Sequence, residues 1–223
     1  MTAGVIGNFP LAVGAFPDPP TLLTEGLHPL STRDLYRYTC PMENYRILPE
    51  ASVYFVTYSV VQWLPVLVSG DAMGIVADSL KHCHHAKGLR INGYVFMPTH
   101  IHAIVFHESH SSEALRRTLA AFRQFTGRAL ADFCAERMPP LFSRIFEEAA
   151  GEDRLRRFWQ PSRHPVSIES ERFWEQKLEY MHANPCRKGL VLYPEDWQFS
   201  SARFYAQGSD PHVAVPITQL DWH

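Results

Sequence analysis

Leu89-Arg90-Ile91-Asn92-Gly93-Tyr94-Val95-Phe96-Met97-Pro98-Thr99-His100-Ile101-His102-Ala103-Ile104-Val105-Phe106 is the stretch on which the fold turns. Leu89 to Met97 is rich in β-branched and aromatic residues and predicts a strand, and Ile101 to Phe106 predicts another. Pro98 and Thr99 leave only a very short turn between them, so the two strands pair antiparallel. Upstream, Ser52 to Val61 (SVYFVTYSVV) reads as an earlier strand. Asp71 to His85 reads as a helix with Met73, Val76 and Leu80 on one face, Asp71 as its cap and Gly88 at its end.

Downstream, Ser111 to about Arg137 predicts a long helix opened by Ser111 or Ser112. Its periodicity turns Leu115, Leu119, Phe122, Ala129 and Phe133 inward and leaves Arg117, Gln124 and Arg128 on an outer face. Pro139 and Pro140 break that pattern, and residues 141–157 read as a charged excursion or short extra helix that the core does not require. A fourth strand falls between Arg157 and Ile168, pushed to a sheet edge by Pro161 and Pro165. Glu169 to about Asn184 is then a helix with Trp174, Leu178 and Met181 on its buried stripe, ending ahead of Pro185. The order β, α, β, β, α, β, α is that of an α+β ferredoxin-like sandwich: an antiparallel sheet of four or five strands, helices on it, and one helix added at the C-terminal end.

Composition fits that outline. The chain has 223 residues, 46% of them hydrophobic and 20% charged, which suits a folded protein with one core rather than a fibrous or disordered chain. Residues 1–44 carry Pro10, Pro17, Pro19, Pro20 and Pro29 with little periodicity and read as an extended arm. Residues 45–205 form the domain, and 206–223 a tail. The apolar residues between Val5 and Phe16 lack a preceding basic segment and are interrupted by Pro10, which argues against a signal peptide. No run reaches the roughly 20 apolar residues of a membrane span. Cys40, Cys83, Cys134 and Cys186 form no CxxC pair, which excludes a zinc ribbon or dense disulfide framework and suits a reducing cytoplasm. The formal net charge of −2 opposes strong non-specific binding to nucleic acid. Basic residues are clustered, however: Arg116, Arg117, Arg123 and Arg128 in one stretch, Arg154, Arg156, Arg157 and Arg163 in another. The first group either contacts backbone phosphate or solvates an exposed face.

Two local patterns can carry chemistry. Strand side chains alternate faces, so His100 and His102 project to one side with Cα atoms about 7 Å apart, where two imidazoles can grip one ion. An H-x-H pair alone does not make a metal site, since two ordinary histidines at a strand start give the same pattern. In Tyr180-Met181-His182-Ala183-Asn184, positions four apart share a helix face, so the Tyr180 hydroxyl and the Asn184 amide oxygen can address one point. The plainer alternative packs Tyr180 at the core edge and uses Asn184 as a cap. His82-Cys83-His84-His85 lacks the spaced pairs of a zinc site and reads as a polar helix end.

In combination these pieces resemble the single-tyrosine HUH transposases (transposase IS200-like), most closely the REP-associated tyrosine transposase branch. The matching residues are Tyr54-Phe55-Val56-Thr57, Met97-Pro98-Thr99-His100-Ile101-His102, Phe122-Arg123-Gln124-Phe125-Thr126, Trp159-Gln160, and Tyr180-Met181-His182-Ala183-Asn184-Pro185 followed by Gly189-Leu190-Val191. Pro194-Glu195-Asp196-Trp197 and Ser200-Ser201-Ala202-Arg203-Phe204-Tyr205 are similar to the family's C-terminal signature. The resemblance covers about residues 45 to 205. Thr99 stands where the family usually has Asn, and Arg123 where it often has Lys.

The resemblance implies that His100, His102 and Asn184 bind a divalent metal, Mg²⁺ or Mn²⁺, and that Tyr180 is the nucleophile. It implies nicking and strand transfer of single-stranded, hairpin-forming (REP-like) DNA through a 5′-phosphotyrosine, by a monomer or a homodimer. The physical chemistry agrees. Neutral imidazoles and an amide leave the ion's charge undiminished for a phosphodiester, and a phenol, with a pKa of about 10 in water, needs such help to attack. Arg116, Arg117, Arg123, Arg128, Trp159 and Gln160 are the candidate DNA contacts. Tyr54, Trp159 and Trp174 are aromatics on which bases stack or which fill the core. Two other functions fit the same fold: a domesticated module that binds structured DNA without cutting it, and a metal-dependent hydrolase with no covalent intermediate.

Overall fold

A computed structural model describes residues 52–152, 154–161, 165–208 and 213–222, all within one compact unit. The proposed arm, Cys40 and Arg163 lie outside the described residues. The elements are β1 (Val53–Ser59), α1 (Gly70–Lys87), β2 (Leu89–Met97), β3 (His100–His107), α2 (Ser112–Arg137), α3 (Pro140–Glu148), β4 (Val166–Ser167), α4 (Glu171–His182), α5 (Asn184–Arg187) and α6 (Ala202–Gln207). The sheet order is β2-β3-β1-β4 with every neighbouring pair antiparallel, the ferredoxin-like arrangement.

Strand alternation divides the sheet into two faces with different partners. Val56, Tyr58, Ile101, Ala103 and Val105 face α1 and α2, where they share the main core with Met73, Val76, Leu80, Leu115, Leu119 and Phe122. Val53, Phe55, Val95, Met97, Ile104 and Phe106 form a second, smaller cluster with Leu178 and Met181 of α4. His100 and His102 belong by parity to this second face. Gly93 permits the close approach of α4, because a Cβ there would lie 2.8 Å from both Leu178 Cδ1 and Met181 Cε.

Several sequence expectations need correction. α1 is capped by Ser69, whose hydroxyl accepts from the Ala72 amide, because a cap residue must precede the first helical turn and Asp71 already lies in it. The 141–157 segment is not dispensable: it holds α3, and Phe146 is fully buried in the main core. Within α3 the charged residues Arg144, Glu147 and Glu148 are exposed while Phe146 points into the core. The fourth strand shrinks to Val166–Ser167, consistent with the prolines that flank it, while Trp159 makes an isolated bridge to Val60. The last helix does not run unbroken to Asn184; it ends at His182 and restarts as α5.

The outer edge of β2 is covered by the C-terminal segment. Ser200 bridges Val95, and the Phe96 amide donates to the Phe199 carbonyl. Ser201 is fully buried: its hydroxyl accepts from the Tyr94 amide at 2.9 Å and lies 2.8 Å from His182 Nε2, tying this segment to the end of α4.

Candidate active site

His100 and His102 open β3, and β1 runs beside them in register, Ser59 opposite His100 and Thr57 opposite His102. The two imidazoles stand 4.7 Å apart between ring centroids. Each has its Nδ1 occupied by a threonine hydroxyl, Thr57 Oγ1 at 2.7 Å from His102 and Thr99 Oγ1 at 2.9 Å from His100. The Nε2 of His102 is buried and has no hydrogen-bond partner among the described residues. That combination fixes the tautomer on energetic grounds. An Nδ1–H that donates to the hydroxyl oxygen leaves a bare lone pair on Nε2, whereas the other tautomer would bury an unpaired N–H donor.

Both rings are held neutral. Burial pushes His102 down to about 3, with His100 and Lys177 adding to the effect, and burial with nearby Lys188 pushes His100 down to about 4. Neutral imidazole is the form that can ligate a divalent cation, and Nε2 of His102 is the nitrogen left without a hydrogen bond among the described residues. Among the described residues, no third histidine, cysteine or acid joins them in a metal-holding group. Asn184 is buried, and its amide nitrogen donates to the Tyr180 carbonyl at 3.1 Å, which leaves its amide oxygen for another partner.

Tyr180 is not packed away. It is 42% exposed, and its ring stands edge-to-face with His102 at 5.7 Å and with Phe55 at 6.4 Å. The helix that carries it is anchored by Leu178 and Met181 on the sheet, which turns position 180 toward the histidines. Tyr180 and both histidines stand together within one chain.

No protein-family model matches the chain, and no curated protein matches it. Among solved structures, the chain is similar to a REP-associated tyrosine transposase bound to a REP hairpin, at 20% identity and a TM-score of 0.49, over 81% of this chain and 96% of that one. At that identity and score the likeness decides no chemistry, which rests on the residues of this chain.

The remaining candidates divide sharply. Trp159 is 3% exposed and donates its indole N–H to Thr126 Oγ1 at 3.0 Å, so its ring offers no face to a base. Tyr54 is likewise buried in the core. Gln160 braces the end of β1, its backbone amide donating to Ser59 O and its side chain to Val60 O at 3.0 Å, and Arg123 is half-buried with its guanidinium on the Gln160 carbonyl at 2.6 Å. Trp159, Tyr54, Gln160 and Arg123 are all fastened within the fold. Trp174 is partly buried, donating to Asn92 Oδ1 at 2.6 Å. Arg116, Arg117 and Arg128 are exposed on α2, which covers the sheet face opposite the histidines; Arg116 is paired with Glu113 at 2.8 Å.

Four site neighbours were missed by sequence reasoning: Thr57 as an orienting group, Lys177 with its ammonium 5.4 Å over the Phe55 ring, Arg187 with its guanidinium 5.3 Å over Tyr180, and Trp63 with its ring 5.6 Å from His100. Thr57 comes in by cross-strand register, Arg187 by the α4–α5 break and Trp63 by the turn after β1, none of which is written in local periodicity, whereas Lys177 stands three residues before Tyr180 on α4. Of His82-Cys83-His84-His85 at the end of α1, Cys83 is buried in the main core while His82 and His85 are exposed.

Proposed function

We propose that the chain nicks and rejoins single-stranded DNA through Tyr180, with His100, His102 and Asn184 holding a divalent cation, Mg²⁺ or Mn²⁺. The observation that carries this reading is one juxtaposition. An exposed tyrosine ring lies 5.7 Å from an imidazole whose buried Nε2 has no hydrogen-bond partner among the described residues. A tyrosine that served only packing would not need a bare ligating nitrogen beside it, and a bare nitrogen is costly unless something fills its place.

Bound there, such an ion supplies Lewis acidity at the scissile phosphate. The chain's own residues do the rest. Thr57 and Thr99 hold the imidazoles in the tautomer that presents Nε2. Lys177, Arg187 and Lys188 surround the tyrosine and histidines with positive charge, a local attraction for phosphate that the overall charge of −2 conceals. Tyr180 Oη loses its proton and forms a bond to phosphorus. The bond from phosphorus to the 3′ oxygen breaks, and the departing 3′ oxygen takes up a proton. The phosphodiester is conserved as a 5′-phosphotyrosine, so the 3′-hydroxyl of another strand can reverse the step without ATP. Unpaired DNA is the substrate class this reading favours, because a flexible single strand can bring one phosphate to imidazoles buried beside α4, and the proposed form is hairpin-forming, REP-like DNA with single-stranded flanks.

The test uses a labelled hairpin oligonucleotide with single-stranded flanks, incubated with the protein and Mn²⁺ and resolved on a denaturing gel. We expect a covalent adduct that Tyr180→Phe and chelation both abolish. Cleavage with no adduct would indicate a hydrolase, and binding with neither would indicate a DNA-binding module; either outcome contradicts the proposal.

A further inference from the structure

Trp63 is placed in a manner that packing does not explain. It lies just after β1, in a short 3₁₀ turn (Val61–Trp63), and it is 50% exposed. The residues around it are firmly seated: Val60, Val61, Val66 and Leu67 are buried, Val60 N donates to Thr99 O, and Leu67 N donates to Pro98 O, both at 2.9 Å. These bonds pin the turn against the Pro98-Thr99 connection that leads into His100. Arg123, Trp159 and Gln160 brace the same strand end from the other side. Gln62 and Trp63 nevertheless both have left-handed backbones, with φ of 51° and 56°. Two consecutive non-glycine residues in that region are unfavourable, and bulky ones most of all. A strained, well-anchored turn holds a large aromatic half in solvent, with its ring edge-on to His100. Backbone strain of this kind gathers where a side chain must be held in a set place.

We infer that Trp63 is a stacking platform for an unpaired base next to the phosphate that is cut. The inference rests on the single-stranded DNA reading above. Trp63, His100, His102 and Tyr180 form a continuous row of rings, with the proposed nucleophile at one end and the exposed indole at the other. A strand whose phosphate sits at the histidines brings a neighbouring base to the indole. Stacking on the indole is tolerant of base identity, so Trp63 fixes the position of the strand rather than its sequence. It also meets what the nucleophile requires, since displacement at phosphorus depends on holding the phosphate still.

The experiment is run in a Tyr180→Phe background with Mn²⁺, so that binding is read whether or not cleavage occurs. Fluorescence anisotropy follows a labelled hairpin oligonucleotide in which each single-stranded position is made abasic in turn. We expect Trp63→Ala to weaken binding about tenfold and Trp63→Phe to stay within about threefold of the parent. One abasic position should weaken the parent by a similar factor and should not weaken Trp63→Ala further. Trp63→Gly, which adopts a φ of 56° without strain, serves as the variant sure of folding and should lose binding as Trp63→Ala does. Unaltered binding by Trp63→Ala, or an equal loss at every abasic position, would overturn the platform. A covalent adduct that fails to form in the wild-type protein would instead overturn the nicking reading, while the coupling measured here would stand.

Discussion

Thr57 shows how much of the chemistry rests on single side chains. Its hydroxyl, 2.7 Å from His102 Nδ1, is what leaves Nε2 bare. Thr57→Val keeps the shape and β-branching the strand needs and removes the oxygen. We predict that Mn²⁺ affinity, measured by calorimetry, falls roughly 10- to 100-fold, the usual effect of losing a partner that orients a ligating imidazole. Unchanged affinity would mean that His102 does not ligate through Nε2. His102→Ala should abolish the same heat signal. The two histidines themselves were legible because alternation along one strand is a local rule. Thr57 was not, although it lay within a matching motif, because its role depends on being opposite His102 across β1 and β3.

At the scale of elements, α4 is the component that makes or unmakes the site. It carries Tyr180 outward and seats Leu178 and Met181 on the sheet over Gly93. Gly93→Ala places a methyl group against both side chains, so the helix must lift or its core residues must repack, at a cost of roughly 1–3 kcal/mol. We expect lower stability in urea titration together with a slower rate of adduct formation, since the rise of α4 moves Tyr180 from His102. A stability loss with an unaltered rate would show that α4 is not what sets the tyrosine. The helix α3 offers a separate test. Phe146→Ala should cost about 3–5 kcal/mol in urea titration, because Phe146 is fully buried; a cost near zero would restore the view that residues 141–157 are peripheral. That view arose because Glu147, Glu148 and Glu152 dominate the local composition, while Phe142, Ile145 and Phe146 reveal their role only once α3 packs beside α2. The strands β2 and β3 were readable almost to the residue, because a two-residue connection leaves little choice of pairing.

At the scale of the whole molecule, three buried neutral histidines among the described residues tie stability to pH. His100 and His182 are pushed down to about 4 and His102 to about 3, in each case chiefly by burial. Their ordinary value is about 6.5, so between roughly pH 6.5 and 4 the unfolded chain binds more protons than the folded one, and stability falls as pH falls. We predict a urea midpoint that holds steady above about pH 7 and drops toward pH 4.5, with a shallower drop in His182→Gln; a midpoint independent of pH across that window would contradict the burial of these rings. Charge is also a property of the whole. The net value of −2 conceals the local gathering of Lys177, Arg187 and Lys188 about the site, which composition alone does not reveal. The central claim, that Tyr180 is the nucleophile, is tested most directly by locating the covalent bond. After reaction with hairpin DNA and Mn²⁺, nuclease and trypsin digestion followed by mass spectrometry should find a phosphonucleotide on the peptide of residues 178–187, whose single tyrosine is Tyr180. A modified peptide from elsewhere in the chain, or DNA cut with every peptide unmodified, would contradict the account.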